Sequence, residues 1–222
     1  MSFSHSPKIV TDGLVFCIDA ADKNSYPGSG TTWTDLSPNG NVGTLTNGPT
    51  FSTSGSGAIY FDGNNDYVSF TSQTFAVNSS PTSFCFDAMV DDTSQTHLIC
   101  MYNSYYSKCF RIIYSGHLDF ETNTNEETVR GTLHTWDTNW HSYCVVFDGS
   151  GDAGSSKMYQ DGVELTVGTN DALTDSVTFD KIGYGSNGSV LGVVSTVKYY
   201  NKALTPKEVL QNFNAQRSRF GV

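Results

Sequence analysis

The segment Ala58–Phe70, AIYFDGNNDYVSF, sets the strongest local constraint in this 222-residue chain. Two short runs of β-branched and aromatic residues flank Gly63-Asn64-Asn65, a cluster typical of a reverse turn. Side chains alternate between the two sides of a strand, so each run has one apolar face. The segment therefore predicts a β-hairpin with four residues that point into a core. These residues are Ile59, Phe61, Val68 and Phe70.

Short apolar runs between turn residues recur along the rest of the chain, which is typical of antiparallel β structure. Ser83–Val90 alternates apolar and mixed positions, and His141–Phe147 is the most apolar run. Asp161-Gly162 predicts a second hairpin between Lys157–Gln160 and Val163–Thr166. Further strands are predicted at Gly13–Asp19, His97–Tyr102, Phe110–Tyr114, His117–Glu121, Lys181–Tyr184 and Leu191–Tyr200.

One helix is predicted, at Leu204–Gln216. Thr205 can cap its first turn, Pro206 suits the first helical position, and Glu208 completes a capping box. About a dozen strands and one short C-terminal helix predict an all-β fold, an antiparallel sandwich of two sheets. We expect an N-terminal arm over residues 1–12, a single domain over 13–216 and a basic C-terminal tail over 217–222.

The formal net charge of −10 argues against a nucleic-acid partner, because phosphate backbones are bound by clustered Lys and Arg. Basic residues nevertheless outnumber acidic ones near the C-terminus. This asymmetry predicts either a docking surface for an acidic partner or a solvated tail. The residues of this candidate docking surface are Lys198, Lys202, Lys207, Arg217 and Arg219.

Five cysteines show no C-x-x-C spacing, and most of them stand in apolar runs. The pattern is typical of small buried side chains, predicts neither a disulfide framework nor a zinc site, and favours a reducing compartment. The N-terminal region has no basic stretch followed by a long apolar run, so we expect no secretion signal and no membrane span. The cysteines are Cys17, Cys85, Cys100, Cys109 and Cys144.

Several motifs occur in a specific order: GLVFCIDAAD, WTDLSPNGNVGTLTNGP, IYFDGNNDYV, WHSYCVVFDG, KMYQDGVEL, KIGY and VKYYNKALTPKEV. Together they span Gly13 to about Phe213, and their order resembles the laminin-G-like, concanavalin A-like jelly-roll domains. The resemblance implies a jelly roll of the kind that often hosts carbohydrate-binding modules. The chain also looks like short proteins encoded by tailed bacteriophages.

Some members of this family hold a calcium ion in their loops. The resemblance makes Asp19, Asp35, Asp62 and Asp66 candidate ligands, since carboxylate oxygens suit calcium. From the residues alone, Asp62 and Asp66 fit capping of the turn better than metal binding. The chain also has Ser195 and Thr196 where many members carry an acidic pair, which counts against calcium at that end. No cofactor is expected to be required, and calcium stays an open alternative.

Sugar binding needs aromatic rings that stack on pyranose faces, with polar side chains nearby for the hydroxyl groups. The candidates are Tyr102, Asn103, Tyr105, Tyr106 and Trp136. Glycoside hydrolysis would need a pair of carboxylates beside the scissile bond. Asp119 and Glu121 share one strand face, but Glu126 and Glu127 fall out of register, so we expect no enzyme.

These observations favour a non-enzymatic bacteriophage virion protein, either a capsid decoration subunit or a fibre-associated one. An extracellular type of fold, no export signal and unpaired cysteines fit a protein that assembles in the host cytoplasm and leaves by lysis. Its expected partners are the major capsid or fibre protein, and a homo-oligomer stays open. The alternatives are a module that binds surface glycans and, less favoured, a glycoside hydrolase.

Overall fold

A computed structural model describes residues 7–94, 97–100, 109–113, 115–121, 128–169, 173, 176–185 and 188–222. The first ten strands are β1 (Leu14–Asp19), β2 (Thr32–Thr34), β3 (Val42–Thr46), β4 (Thr50–Ser52), β5 (Ala58–Asp62), β6 (Tyr67–Phe75), β7 (Thr82–Val90), β8 (His97–Cys100), β9 (Cys109–Ile113) and β10 (His117–Glu121). The others are β11 (Thr128–Thr132), β12 (His141–Phe147), β13 (Lys157–Gln160), β14 (Val163–Glu164), β15 (Thr166–Thr169), β16 (Val177–Ile182), β17 (Tyr184–Gly185), β18 (Gly188–Ser189) and β19 (Leu191–Tyr200). One α-helix, α1 (Pro206–Phe220), and two single-turn 3₁₀ helices, Ser54–Ser56 and Ala153–Ser155, complete the described part of the chain.

The strands form a two-sheet antiparallel sandwich, which confirms the predicted fold class. One sheet has the order β14-β13-β12-β7-β19-β5-β4, with β1 paired to the second half of β19. The other has the order β15-β11-β10-β9-β8-β16-β6-β3-β2. Because α1 packs on the outer face of the first sheet, we call it the covered sheet and the second the open sheet. The predicted meander of β8, β9 and β10 lies in the open sheet.

The segment Ala58–Phe70 is not a hairpin, contrary to the sequence prediction. β5 pairs with β4 and β19 in the covered sheet, whereas β6 pairs with β3 and β16 in the open sheet. The turn therefore carries the chain from one sheet across to the other. The four predicted core residues are all buried, because apolar faces satisfy burial equally well when they meet across a sandwich. The alternation pattern fixes the buried face but does not choose the pairing partner.

Aromatic rings from both sheets meet at the centre of the core. Phe84 and Tyr199 come from the covered sheet, and Phe179 comes from the open sheet. The ring centroids of Phe84 and Phe179 are 4.6 Å apart, and those of Phe179 and Tyr199 are 4.8 Å apart. Such contacts add to the hydrophobic stabilisation from burial, because ring edges and faces attract each other.

The hairpin predicted at Asp161-Gly162 is present but shorter than expected. Both turn residues have positive φ, 53° and 77°, which suits a tight two-residue turn between β13 and β14. Pairing ends at Glu164, because Leu165 enters the core and β15 then joins the open sheet.

Helix α1 has the predicted capping box, in which Thr205 Oγ1 accepts from the Glu208 backbone N–H and Glu208 accepts from the Thr205 N–H. It runs four residues further than expected, to Phe220, so most of the predicted basic tail is helical. Phe220 stacks on Trp140 with ring centroids 4.6 Å apart, and this contact anchors the end of the helix.

The described part of the N-terminal arm packs beside α1. The Val10 backbone N–H donates to Asn212 Oδ1 at 2.8 Å, and the Tyr200 hydroxyl donates to the Val10 carbonyl at 3.1 Å. The arm and the helix together cover one end of the outer face of the covered sheet.

Cys85 and Cys144 form a disulfide, so the prediction of no disulfide is wrong. The two residues face each other on neighbouring strands, with Cα atoms 4.1 Å apart. They lie 59 positions apart in the sequence, and they meet because β7 pairs with β12. The cysteine pattern consequently gives no support to a reducing compartment. Cys17 is a buried free thiol, and burial raises its pKa to about 11.

We expect the disulfide to stabilise the protein by restricting the unfolded chain. Replacement of Cys85 and Cys144 together by alanine should lower the free energy of unfolding by about 2 to 4 kcal/mol. Chemical denaturation of both proteins under non-reducing conditions measures the difference. Cys17→Ala is the matched control, because it changes a buried cysteine that closes no loop. Equal stability of the double variant and the wild type would contradict this role.

Candidate binding face

The outer faces of the two sheets have different environments. On the covered sheet, outward side chains such as Cys85, Val146 and Tyr200 are buried beneath α1 and the N-terminal segment. On the open sheet, outward side chains such as Thr44 and Thr132 are exposed. No described element lies over this second face, which makes the outer face of the open sheet, here the open face, the candidate binding surface.

An ion-paired cluster lies on the open face, on strands β9, β10 and β11. Asp119 stands directly opposite Arg111 on one side and Arg130 on the other. Arg130 donates two hydrogen bonds to the Asp119 carboxylate, from Nε to Oδ1 at 2.8 Å and from Nη2 to Oδ2 at 2.7 Å. Arg111 Nη2 lies 3.4 Å from the same carboxylate. The fork geometry fixes the Arg130 guanidinium on the sheet surface, and the single, longer contact orients Arg111 towards the same carboxylate.

Exposure separates the three members of this cluster. The Asp119 side chain is 0% exposed, whereas the Arg130 side chain is 42% exposed and the Arg111 side chain 21%. The carboxylate therefore orients the arginines and does not itself face solvent. A ligand on the open face would meet the partly exposed side chain of Arg130, whose guanidinium group carries hydrogen-bond donors.

The surroundings of the cluster are polar and partly open. Gly168 lies opposite Arg130, and a Cβ atom placed there would have no neighbour within 4 Å. Further along the sheet, Lys181 Nζ lies 5.3 Å from the centre of the Tyr67 ring, a cation–π contact. The face thus combines donors, hydroxyl groups and one partly exposed ring, the groups that recognise sugars.

Sequence reasoning missed Arg111, Arg130 and Gly168. A signal was present, because Arg111 stands between the core residues Phe110 and Ile112 and must point outward. The alternation could not show that Arg111 meets Asp119, because strand pairing is decided by the whole sheet.

The predicted sugar-binding residues are only partly accounted for. Tyr102, Asn103, Tyr105 and Tyr106 lie outside the described residues. Trp136 is half-buried and packs against the core, and its indole N–H donates to the Thr93 carbonyl at 3.1 Å. This position gives Trp136 a packing role at the end of the sandwich.

The four predicted calcium ligands are engaged in other contacts. Asp35 Oδ1 accepts from the Cys17 backbone N–H at 2.8 Å, and Oδ2 accepts from Asn41 Nδ2 at 2.9 Å, so Asp35 attaches the loop of the WTDLSPNGNVGTLTNGP motif to β1. Asp19 pairs with Arg219 through two contacts, at 2.8 and 3.0 Å. In the described ranges, no three His, Cys, Asp or Glu side chains come together as a metal site.

The predicted turn-capping role of Asp62 and Asp66 is confirmed. Asp62 Oδ1 accepts from the Asn64 N–H at 2.9 Å, and Asp66 Oδ2 accepts from the Asp62 N–H at 3.1 Å. Burial raises the pKa of Asp66, against the effect of that backbone hydrogen bond. Both carboxylates thereby stabilise the crossing between the sheets.

The predicted basic docking surface is not a single surface. Lys198 is 2% exposed and pairs with Asp87 at 2.9 Å beneath the cover of the outer face, so a partner cannot reach it. Lys202 pairs with Asp12 and Glu208, and Arg219 pairs with Asp19. Lys207 and Arg217 are exposed. Three of the five residues therefore serve internal ion pairs, which a count of charges along the chain could not show.

The buried pair of Lys198 and Asp87 gives a direct test of this assignment. Lys198→Ala should lower the free energy of unfolding by about 3 to 5 kcal/mol, because it leaves the buried Asp87 carboxylate without its partner. Lys207→Ala, which removes an exposed lysine, should change stability by less than about 0.5 kcal/mol. Thermal and denaturant unfolding of the two variants measure the contrast. Equal effects would contradict a stabilising role for the buried pair.

The acids considered for hydrolysis do not form an exposed pair in the described part of the chain. Asp119 is enclosed by Arg111 and Arg130. Glu121 ends β10, opposite Cys109 and Thr128, and Glu126 and Glu127 lie outside the described residues. No helix among the described residues has the length and apolar character needed to cross a membrane.

A family profile described as the concanavalin A-like lectin/glucanases superfamily matches residues 62–210, which is more than half of the chain. The chain belongs to this superfamily. The match extends from the end of β5 into α1 and includes the ion-paired cluster on the open face. Its membership confirms the resemblance that the sequence motifs indicated, and the fold is lectin-like. No curated protein sequence matches the chain significantly.

Solved structures with the same fold come from several kinds of protein. Domain 4 of AbnA, a GH43 extracellular arabinanase from Geobacillus stearothermophilus solved with arabinotriose, is 17% identical, with a TM-score of 0.66 over 91% of this chain and 99% of that domain. The binding domain of botulinum neurotoxin serotype D is 12% identical, with a TM-score of 0.69 over 93% of this chain and 53% of that one. Trypanosoma rangeli sialidase is 13% identical, with a TM-score of 0.67 over 97% and 36%. The chain thus spans about a third of the sialidase, and at these identities the likeness concerns the fold.

Proposed function

We propose that this protein is a non-enzymatic carbohydrate-binding module whose binding surface is the open face. The observation that carries the proposal is the asymmetry of the sandwich: one outer face is buried beneath α1, and the other presents polar side chains to solvent. Arg130 is held by two hydrogen bonds to Asp119 before any ligand arrives, and Arg111 makes one longer contact with the same carboxylate. Preordered donors reduce the entropy cost of binding, and sugar hydroxyl groups are suitable acceptors.

The non-enzymatic part of the proposal is supported by the environment of Asp119. A glycosidase needs two carboxylates that reach opposite sides of the glycosidic bond. The Asp119 carboxylate is 0% exposed and is bound by two arginines, so it acts on the arginines and not on a substrate. We also propose that binding needs no calcium, because Asp19 and Asp35 are occupied by protein partners.

A substitution that obstructs the open face tests the proposed site. Gly168→Trp adds a large ring on the outer face beside Arg130, where a Cβ atom has no neighbour within 4 Å among the described residues. We expect it to weaken binding of a glycan selected from an array by at least about tenfold, a loss of ~1.4 kcal/mol in binding free energy. Arabinotriose, sialylated glycans and bacterial surface polysaccharides form a suitable first panel. Affinity is then measured by calorimetry.

Lys207→Trp is the matched control, since it adds the same ring to the exposed surface of α1 on the opposite side of the sandwich. Unchanged affinity in this variant, together with loss in Gly168→Trp, would support the open face. Equal affinity of both variants and the wild type would place binding elsewhere. Retained binding in a chelator and absence of released sugar would support the calcium-independent, non-enzymatic assignments.

We further propose that the module is a virion structural protein of a tailed bacteriophage, assembled in the host cytoplasm and released by lysis. The resemblance of its sequence motifs to phage-encoded proteins supports this placement, and the major capsid or fibre protein would be its partner. The glycan-binding face and a virion position are compatible, because a decoration or fibre subunit must turn one face outward.

Immunogold labelling of purified particles tests the virion placement. Label over the heads is expected for a decoration subunit, and label confined to tails for a fibre-associated one. Particles from a lysate that lacks the gene serve as the control. Absence of label from intact particles that contain all other structural proteins would overturn the virion placement without affecting the glycan-binding proposal.

A further inference from the structure

His141 contacts a carboxylate on each side of its ring. Nδ1 lies 2.7 Å from Asp161 Oδ2, and Nε2 lies 3.1 Å from Asp137 Oδ1. An ionised carboxylate can only accept hydrogen bonds, so both ring nitrogens must carry a hydrogen. A neutral imidazole has a single N–H and satisfies one contact only. The geometry therefore requires the charged form of His141.

The two carboxylates belong to different parts of the chain. Asp161 is in the turn between β13 and β14, and Asp137 is in the segment of residues 136–139 that precedes β12, here the 136–139 segment. On one side of this segment the His134 and Thr135 N–H groups donate to Gln160 Oε1. On the other, Trp140 stacks on Phe220. The contact of Asp137 with His141 thus holds the middle of a segment whose flanks are fixed independently.

The contact with Asp137 is the weaker of the two. Asp161 also makes two hydrogen bonds with Ser142: its side-chain Oδ1 accepts from the Ser142 N–H at 2.9 Å, and its backbone N–H donates to the Ser142 carbonyl at 2.8 Å. In the described part of the chain, the Asp137 carboxylate contacts Asn139 besides His141, and it has the longer distance to the ring. A neutral His141 ring, with one N–H, therefore retains its hydrogen bond to Asp161.

We propose that His141 is a pH-dependent clasp for the 136–139 segment. The charged ring holds Asp137 against the end of the sandwich, and the neutral ring releases it while keeping Asp161. Release loosens the segment that carries Trp136, whose indole N–H bonds to the Thr93 carbonyl and whose ring packs beside Gly116. This clasp lies outside the open face and goes beyond the proposed glycan binding.

The groups around His141 determine the pH range of the clasp. Burial lowers the pKa of His141, but the hydrogen bonds and charges of Asp161 and Asp137 outweigh burial and raise it above 6.5. Burial also raises the pKa of the neighbouring Tyr143, which stays neutral, and the residue opposite His141 on β7 is Ala88. On the side of α1, Leu210 and Phe213 lie beside Gly162.

The directions of the pKa shifts of His141 and Asp137 decide how the stability of the clasp changes with pH. The pKa of His141 is higher in the folded protein than in the unfolded one. The stabilisation that its charged ring supplies is therefore complete below the unfolded pKa and is lost as pH rises through the folded pKa. The pKa of Asp137 is lowered from 3.8 because its hydrogen bonds with Asn139 and His141 outweigh burial, so its contribution is lost as pH falls through that lowered value. The clasp is therefore strongest between the ordinary values of the two groups, 3.8 and 6.5.

Hydrogen exchange of the full chain, corrected for intrinsic rates, tests the clasp from about pH 5 to about pH 9. We expect protection of the 136–139 segment to fall as pH rises, by about tenfold for each unit by which the pKa of His141 in contact with Asp137 exceeds its pKa once Asp137 is released. A histidine NMR titration, assigned with His141→Gln, gives that pKa independently. A constant protection factor across this range would overturn the proposal.

Two variants separate the clasp from a general effect of pH. Asp137→Asn should remove the pH dependence, because an amide can accept from a ring N–H or donate to a bare ring nitrogen. His134→Gln is the matched control, since His134 precedes the same segment and its Nε2 contacts the Glu164 carbonyl, at 3.2 Å, and no carboxylate among the described residues. It should keep the wild-type profile. A steep profile in Asp137→Asn would contradict the clasp, and His141→Gln, with low protection at every pH, provides a second test if Asp137→Asn does not fold.

Discussion

The packing of two aromatic strand faces against each other is the interaction on which the rest of this structure depends. Phe84, Phe179 and Tyr199 join the two sheets at the centre of the core, and each is less than 2% exposed. Each sheet must turn one face inward to form this core, which leaves two outer faces. Whether each outer face is covered or exposed then decides which one is available to a ligand.

Helix α1 makes the two outer faces different, because it covers one of them. Its capping box starts it at a fixed position, and the contacts of Phe220 with Trp140 and Arg219 with Asp19 hold its far end. Charged groups on the outer side of the covered sheet consequently become internal, and Lys198 there pairs with Asp87. On the open sheet, outward side chains such as Thr44 and Thr132 stay exposed, and the buried Asp119 carboxylate contacts two partly exposed arginines.

Local patterns in the sequence predicted much of this architecture. The capping box of α1, the turn at Asp161-Gly162 and the inward faces of the strands depend on residues that are close in the chain, so they could be predicted. The crossing at Gly63, the disulfide of Cys85 with Cys144 and the cluster around Asp119 depend on which strands pair. Strand pairing is set by the packing of the whole sandwich, and it cannot be predicted from residues that are close in the sequence.

The sequence by itself determined the class of fold, the buried face of the strands, the single helix and the family to which the chain belongs. Alternation and capping are local, and the order of the motifs is specific enough to indicate the superfamily. Only the tertiary structure decided which outer face is covered, which charges are buried and which are exposed. A lysine such as Lys198 looks the same in the sequence whether it meets a buried carboxylate or water, because burial is a property of the assembled sheets and not of the residue.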